Sequence, residues 1–467
     1  MTRSAASFRD PSGFVFTQND QVYRQVNQSY YSNYDALMQT GLYTQLTRQE
    51  LLIRHQEVRP PRLLPGSGIQ HYRVLQPEKV PFISYPYEWC FSQLKDAALL
   101  TLRIQKTSLS FAMSLKDATS FNIQFLRGKP IFIDTLSFER LQDGPPWVAY
   151  RQFCEQFLAP LALIAYGDVR LGRLLLGGVG SVPLDLAAKL LPIRAKIKPS
   201  LLVHLILQAK GQSSSRKTLS DQPEKTLPLG RSTVLELVDN LIDTVNGLSL
   251  SHAGTIWTSY YAKDAKINNY TDRAMSQKKL LVKKYLKGVG PKLIWDLGAN
   301  DGTFSRLAAS GGASVISLDN DPYVVEKNYL KVKEAGEKNI LPLWLDIANP
   351  TPPLGWQGSE RSSLLDRPHP DLILALALVH HLAIANNIPL PQIAQFLSQL
   401  GPWLVIEFVP KEDSQVKLLL AHREDIFANY NQANFEKAFS RFFRIEAKSL
   451  LSDSRRTVYL MKNEKIH

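Results

Sequence analysis

Two cysteines in 467 residues leave little room for sulfur chemistry. Cys90 and Cys154 lie far apart and match no metal-ligand or redox spacing, which excludes a disulfide scaffold or a thiolate zinc site and predicts two buried thiols in a reducing compartment. Long apolar runs are missing as well. The greasiest stretch, residues 157–166, is too short to span a bilayer and meets Asp168 and Arg170 at once, so it predicts a core helix and no membrane span. Residues 1–20 carry Arg3, Arg9 and Asp10 and lack the apolar segment of a signal peptide, and a cytoplasmic location is expected by elimination. No internal repeat is visible. No Lys/Arg cluster is dense enough to track a phosphate backbone, which lowers the expectation for nucleic acid as a partner.

What is present describes a folded chain of two or three domains, with 44% hydrophobic and 21% charged residues. The net charge of +13 is uneven. Residues 1–230 hold 27 Lys+Arg against 17 Asp+Glu, and the remainder hold 28 against 25. The basic excess is read as a solvated surface before it is read as a binding face.

Residues 211–230, rich in Ser, Gly, Pro and charge and without apolar periodicity, read as a linker between an N-terminal α+β domain at 1–210 and a second domain at 231–467. Residues 184–209 are apolar and helical in pattern, interrupted at Pro192 and Pro199. Residues 233–245 repeat Leu235, Leu237, Val238, Leu241 and Ile242 at helix spacing. From Lys292 the pattern turns to short apolar runs at 293–297, 314–318, 340–345, 372–378 and 403–408, with helical stretches at 304–309, 323–335 and 390–400. Alternation of this kind predicts an α/β fold, a mostly parallel sheet with helices on both faces. Runs at 442–447 and 457–461 are expected as an antiparallel pair at one edge, making seven strands.

The first run opens into Asp296-Leu297-Gly298-Ala299-Asn300-Asp301-Gly302. Gly298 and Gly302 permit unusual dihedrals and close approach of backbone to a ligand, and ligands of open parallel sheets bind beyond the carboxyl ends of the strands. The second run ends in Asp319, where a carboxylate accepts hydrogen bonds from ribose hydroxyls. The third ends Asp346-Ile347. Three acids at three successive strand ends are a stronger signal than a glycine motif alone.

On these residues, 293–461 resembles a class I, Rossmann-like S-adenosylmethionine (SAM)-dependent methyltransferase, with Asn300 where the commonest pattern has glycine. The resemblance implies that Gly298, Asn300 and Gly302 cradle the methionine part, that Asp296 helps hold its amino group, that Asp319 holds the ribose, and that Asp346 and Ile347 face the adenine. A nicotinamide dehydrogenase is the competing use of the fold. It is disfavoured by the missing G-x-G-x-x-G spacing and by Asp301, whose charge would meet a pyrophosphate.

The fourth run leads to His380 and His381. The resemblance puts this point near methyl transfer, and a neutral imidazole there can take a proton from a hydroxyl or amine acceptor. The Asn/Asp-Pro-Pro-aromatic motif of enzymes that methylate exocyclic base amines is absent. Glu407, on a buried strand before Pro410, is expected to orient an acceptor, pair with a histidine or serve as a structural acid bonded to a helix N-terminus. His380, His381 and Glu407 are therefore the catalytic candidates, and no metal ligand is assigned. Trp257, Tyr260, Tyr261 and Tyr270, with Arg273 and Lys278, are expected either to lid the pocket or to form a helix packed on the sheet.

In the N-terminal half, Asp117-x4-Asn122 followed by the strand-like run 130–134 ending in Asp134 is similar to the catalytic and metal-binding loops of kinase-like phosphotransferases. A helix at 87–113 and a hairpin at 13–26 carrying Arg24 fit that likeness. Leu115-Lys116 replaces the usual histidine-containing pair, Asp134-Thr135-Leu136 lacks the glycine, and no glycine-rich loop precedes residue 21. The resemblance is to a degenerate kinase-like module, with Mg²⁺ or nucleotide at Asp117, Asn122 and Asp134 as its implication. The reading is a SAM-dependent methyltransferase acting on an unidentified acceptor, a small molecule, glycan or protein before nucleic acid. The first domain is expected to recruit that acceptor. The alternatives are a bifunctional phosphotransferase/methyltransferase and a SAM-binding interaction protein without turnover.

Overall fold

A computed structural model of the chain describes residues 2–59, 70–142, 144–209, 230–250, 254–255, 270–421 and 423–464. All but Gly230 of the linker expected at 211–230, and the aromatics Trp257, Tyr260 and Tyr261, lie outside the described residues. Contacts divide the chain into one unit of Met1–His252 with Pro353–Ser362 and a second of Ala253–Pro352 with Ser363–His467.

In the first unit, strands β1 (Thr2–Arg3), β2 (Gly13–Gln18), β3 (Gln21–Asn27), β4 (His55–Glu57) and β5 (His71–Pro77) form an antiparallel sheet in the order β1-β2-β3-β5-β4. The hairpin expected at 13–26 is its centre. The helix Phe91–Ser110 buries Leu94, Ala97, Ala98, Thr101, Leu102, Gln105 and Leu109, a stripe at helical spacing that faces the unit's core. Two short antiparallel pairs follow, β6 (Met113–Leu115) with β9 (Phe138–Arg140) and β7 (Ile123–Leu126) with β8 (Lys129–Phe132). The apolar run at 157–166 is a core helix, Ala159–Tyr166, with Ala159 through Ile164 buried. Both cysteines are free and buried.

The helix Arg231–Asn246 also belongs to this first unit, which differs from the boundary expected at 231. Its buried stripe of Val234, Val238, Leu241 and Val245 packs on Phe91–Ser110. Lys106 Nζ pairs with Asp239 at 2.5 Å, and His204 Nε2 meets Asn240 Oδ1 at 2.7 Å. Apolar periodicity identified the helix; it carries no information about which core the stripe enters.

The second unit holds seven strands: β10 (Leu293–Leu297), β11 (Ser314–Asp319), β12 (Ile340–Trp344), β13 (Leu372–Ala375), β14 (Trp403–Phe408), β15 (Phe443–Leu450) and β16 (Thr457–Asn463). Their order is β12-β11-β10-β13-β14-β16-β15. The first five are parallel, and β16 lies between β14 and β15 and runs against both, so the sheet is mixed. The inner strands are buried along their length and read as continuous apolar runs, as strands covered on both faces must. Helices Thr303–Ala309, Pro322–Ala335 and Leu390–Leu400 connect parallel neighbours, and Asp272–Val289 packs against β14 and β16. A core of Val282, Ile294, Phe304, Val315, Val332, Leu372, Leu374 and Val405 fills the space between sheet and helices. Strand order reverses between β10 and β13. Right-handed crossovers then send helices to opposite faces, and a crevice opens at the carboxyl ends of these two strands. β13 stops at Ala375, short of the expected 378, and Ala377 takes a left-handed conformation (φ 50°) that no strand accommodates.

Candidate functional site

The crevice at the reversal point is a cavity of about 250 Å³. Gly298 and Asn300 form one wall, Leu318, Asp319 and Asn320 another, and Leu345, Asp346 and Ile347 follow from the next strand. The segment after β13 closes the opposite side with Leu376 through Leu378 and His380 through Leu382. Ala385, Asn386 and Gln415 complete the lining. Of the expected site residues, Gly298, Asn300, Asp319, Asp346, Ile347, His380 and His381 come together here. Asp296, Gly302 and Glu407 do not line the cavity.

The loop after β10 is held by specific bonds. Gly298 N–H and Ala299 N–H both donate to the Leu318 carbonyl, at 2.9 and 3.0 Å. Gly298, Asn300 and Gly302 have φ of 70°, 50° and 79°. Asparagine is among the few side chains that tolerate this region, which is why Asn300 stands where glycine is commonest. A Cβ on Gly302 would overlap Asn328 Oδ1. Asp319 organises the rim: its Oδ2 accepts from Asn300 N–H at 2.8 Å and its Oδ1 from Asp321 N–H at 2.9 Å. Burial pushes the Asp319 carboxyl up to about 6, against the pull of those backbone donors.

Asp296 sits behind the loop. It is 2% exposed, accepts from Ser305 Oγ at 2.6 Å, and is pushed up to about 6 by burial. Ser305 bonds on to Ser317 at 3.0 Å, Ser317 accepts from Asn328 at 2.8 Å, and Arg306 joins Asn328 Oδ1 to the Asp301 carbonyl. This buried polar chain locks the glycine loop to β11 and the helix Pro322–Ala335. Its sequence signal was faint: Ser305 and Ser317 are polar residues inside apolar patterns.

Asp301 corrects one expectation. Its side chain caps the next helix through Thr303 (Oγ1 at 2.7 Å) and pairs with Lys331 at 2.6 Å. It is 5% exposed and does not line the cavity. Its charge is therefore compensated and gives no argument against a pyrophosphate. The mixed sheet separates the chain from a dinucleotide-binding fold instead, since the doubly wound order 3-2-1-4-5-6 has no antiparallel strand inserted beside the fifth.

His380 is 2% exposed, its ring lies 4.1 Å from that of His381, and its Nδ1 makes no hydrogen bond among the described residues. Burial, reinforced by His381, Arg456 and Lys278, holds it well below the usual histidine range; His381 is pushed down to about 4. Both imidazoles are neutral at physiological pH.

Glu407 is fully buried and meets Lys278 Nζ at 2.7 Å, with the two side chains 0% and 1% exposed. Tyr270 OH donates to its other oxygen at 2.6 Å. Arg456 donates to Tyr270 OH and makes a two-pronged pair with Asp413, at 2.7 and 3.0 Å. Burial alone would raise the Glu407 carboxyl; Lys278 and Arg456 outweigh it and hold it below its ordinary value. None of the three uses expected for Glu407 is seen in that form: its partners are the Lys278 and Tyr270 side chains and not a helix N-terminus. Tyr270 and Lys278 serve the same cluster rather than a lid.

In the first unit, Asp117, Asn122 and Asp134 do gather. Asn122 Nδ2 donates to Ser137 Oγ (2.9 Å), which donates to Asp134 Oδ2 (2.6 Å); Gln152 donates to Asp117 (2.8 Å). Burial and the nearby Asp134 push the Asp117 carboxyl up. Arg24 pairs with Asp134 at 3.1 Å and with Asp10. Among the described residues no group of three or more His, Cys, Asp or Glu is arranged to hold a metal, and no helix is long and apolar enough to cross a membrane.

No family model matches the sequence. Among solved structures, the chain is similar to magnesium protoporphyrin IX methyltransferase ChlM from Synechocystis PCC 6803 with bound SAM, at 18% identity over 44% of this chain and 88% of that one, TM-score 0.30. It is also similar to N-methyltransferase NodS from Bradyrhizobium japonicum WM9 with S-adenosyl-L-homocysteine, at 10% identity over 45% and 97%, TM-score 0.34. Overlaps this loose establish no chemistry. The sequence relationship is of another order: 37% identity over 465 residues with the nodulation protein NoeA of Rhizobium meliloti (strain 1021), covering 98% of this chain and 95% of that protein. The chain therefore belongs to the family of the nodulation protein NoeA.

Proposed function

We propose that the second unit is a SAM-dependent methyltransferase and that the cavity between β10 and β13 holds SAM. The observation that carries the proposal is Asp319. It ends β11, faces the cavity, and fastens the Gly298–Asn300 wall, so one carboxylate both shapes the loop and presents an acceptor to a ribose. Asp346 and Ile347 on the next strand suit an adenine edge and face, and the glycine loop suits the methionine part. When bound, SAM supplies a methyl group on a sulfonium, and transfer needs chiefly an in-line approach by the acceptor.

His380 is the acceptor-side residue. Burial keeps its imidazole neutral, so the ring offers a nitrogen lone pair and not a positive charge to a hydroxyl or amine. Its imidazole lines the cavity; as the methyl–acceptor bond forms, the methyl–sulfonium bond breaks to leave S-adenosyl-L-homocysteine, and the acceptor's proton passes to solvent. His381 packs on the ring and fixes its plane. The methyl acceptor is a small molecule, a glycan or a protein.

The test is tritiated-methyl transfer from SAM into a size-fractionated extract by the full chain and by Asp319→Ala. Label entering one fraction with the full chain and not with the variant supports the proposal. SAM binding without label in any fraction would favour an interaction protein that has lost transfer.

A further inference from the structure

The first unit carries an apolar surface that the methyl-transfer site does not use. Helices Leu184–Leu190 and Ile193–Lys196 and the helical turns from Pro199–Leu201 through Leu207 run consecutively. Their inward residues Leu184, Ala187, Leu191, Ala195, Leu201 and Leu205 are almost fully buried and fix the segments to the unit. Each segment turns a pair four residues apart to solvent. Leu186 and Leu190 are 37% and 44% exposed, Ile193 and Ile197 78% and 72%, and Val203 and Leu207 49% and 51%. Single exposed aliphatics need no explanation; three successive helical pairs on one stretch of chain do.

The charge beside these pairs selects the occupant. Lys189, Arg194, Lys196 and Lys198 lie among them, and Asp185 is the sole acid in residues 184–209. None of the four has an ion-pair partner among the described residues. The stretch contains no Phe, Trp or Tyr, so it offers no stacking platform for nucleic acid. Arg194 donates to the Tyr166 carbonyl at 2.8 Å, but no carboxylate offsets its charge. Aliphatic side chains flanked by cations without ion pairs are the composition of an interfacial segment, which sinks its apolar residues among acyl chains and sets its cations on anionic headgroups. The two prolines keep it as short helices, far below the length needed to span.

We propose that residues 184–207 form a peripheral docking surface for a membrane bearing anionic phospholipid. The test is co-sedimentation of the full chain with vesicles of phosphatidylglycerol and phosphatidylcholine, against phosphatidylcholine alone. The expected result is binding at least about tenfold stronger to the anionic vesicles, weakened by added salt, and abolished by I193D with I197D. Both positions are solvent-exposed, so an unchanged thermal unfolding profile certifies the variant's fold. No binding to anionic vesicles, or binding that survives the double substitution, overturns the proposal. So does light scattering that finds a dimer dissolved by the same substitutions, because the face would then be covered by a second copy.

Discussion

The Lys278–Glu407 pair gives a prediction whose size follows from geometry. The ions are 2.7 Å apart and excluded from water, and Tyr270 and Arg456 complete the cluster. Removing one partner of a buried pair strands the other, at a cost of about 3–5 kcal/mol. The two single variants are not equivalent. Glu407→Leu leaves the buried Lys278 beside the Tyr270 hydroxyl without its carboxylate partner, while Arg456 keeps Asp413, which argues for the upper end. Lys278→Met leaves Glu407 with Tyr270 at 2.6 Å and Arg456 at 3.9 Å, which argues for the lower end. The double variant is expected to be more stable than Glu407→Leu alone, because an apolar pair has no charge to strand. For a unit of this size each kcal/mol moves the midpoint by about 2–4 °C, so the singles should lower the unfolding midpoint by roughly 6–20 °C. The assay is differential scanning calorimetry of the full chain, following the transition that SAM raises. Single variants within about 2 °C of the parent, or a double variant equal to the sum of the singles, would refute the reasoning.

Other outcomes follow from the same site. Asp319 must be ionised to accept from both a ribose and the Asn300 N–H, so SAM affinity should be level above about pH 6.5 and fall about tenfold per unit below pH 6. The SAM-free protein should show the opposite trend: a carboxyl raised above its unfolded value contributes stability that is complete below about pH 4 and lost as pH rises through 6. Melting curves with and without SAM across this range check both, and a SAM-induced gain independent of pH contradicts them. Gly302→Ala forces a side chain into Asn328 at φ 79°; it should cost about 1–3 kcal/mol and weaken SAM binding at least tenfold, read by calorimetry. In the first unit Arg24 already neutralises Asp134, so ATP with Mg²⁺ is expected to leave the melting profile unchanged; a shift that Asp134→Ala removes would restore the bifunctional reading.

The second unit was legible because its chemistry is local. Parallel strands buried on both faces read as apolar runs, and Gly298, Asp319 and Asp346 fall at their ends. Asn300 stood out as a departure from the commonest glycine pattern, and its left-handed backbone gives the reason. What stayed hidden is non-local. Lys278 and Glu407 are 129 residues apart, and nothing near Lys278 marks it as a buried cation. Asp301 looked like a site acid until Thr303 and Lys331 were seen to absorb its charge. The helix Arg231–Asn246 announced its apolar stripe but not its partner. In the first unit, β3 pairs with β5 some fifty residues on, a choice alternation alone does not dictate.

The most direct test of the central claim is titration calorimetry of the full chain with SAM. Saturable one-to-one binding is expected, competed by S-adenosyl-L-homocysteine and weakened about a hundredfold or more in Asp319→Ala, the loss of charge-assisted hydrogen bonds together with the loop they order. A folded parent chain that gives no heat with SAM, or binding that Asp319→Ala leaves untouched, would contradict it.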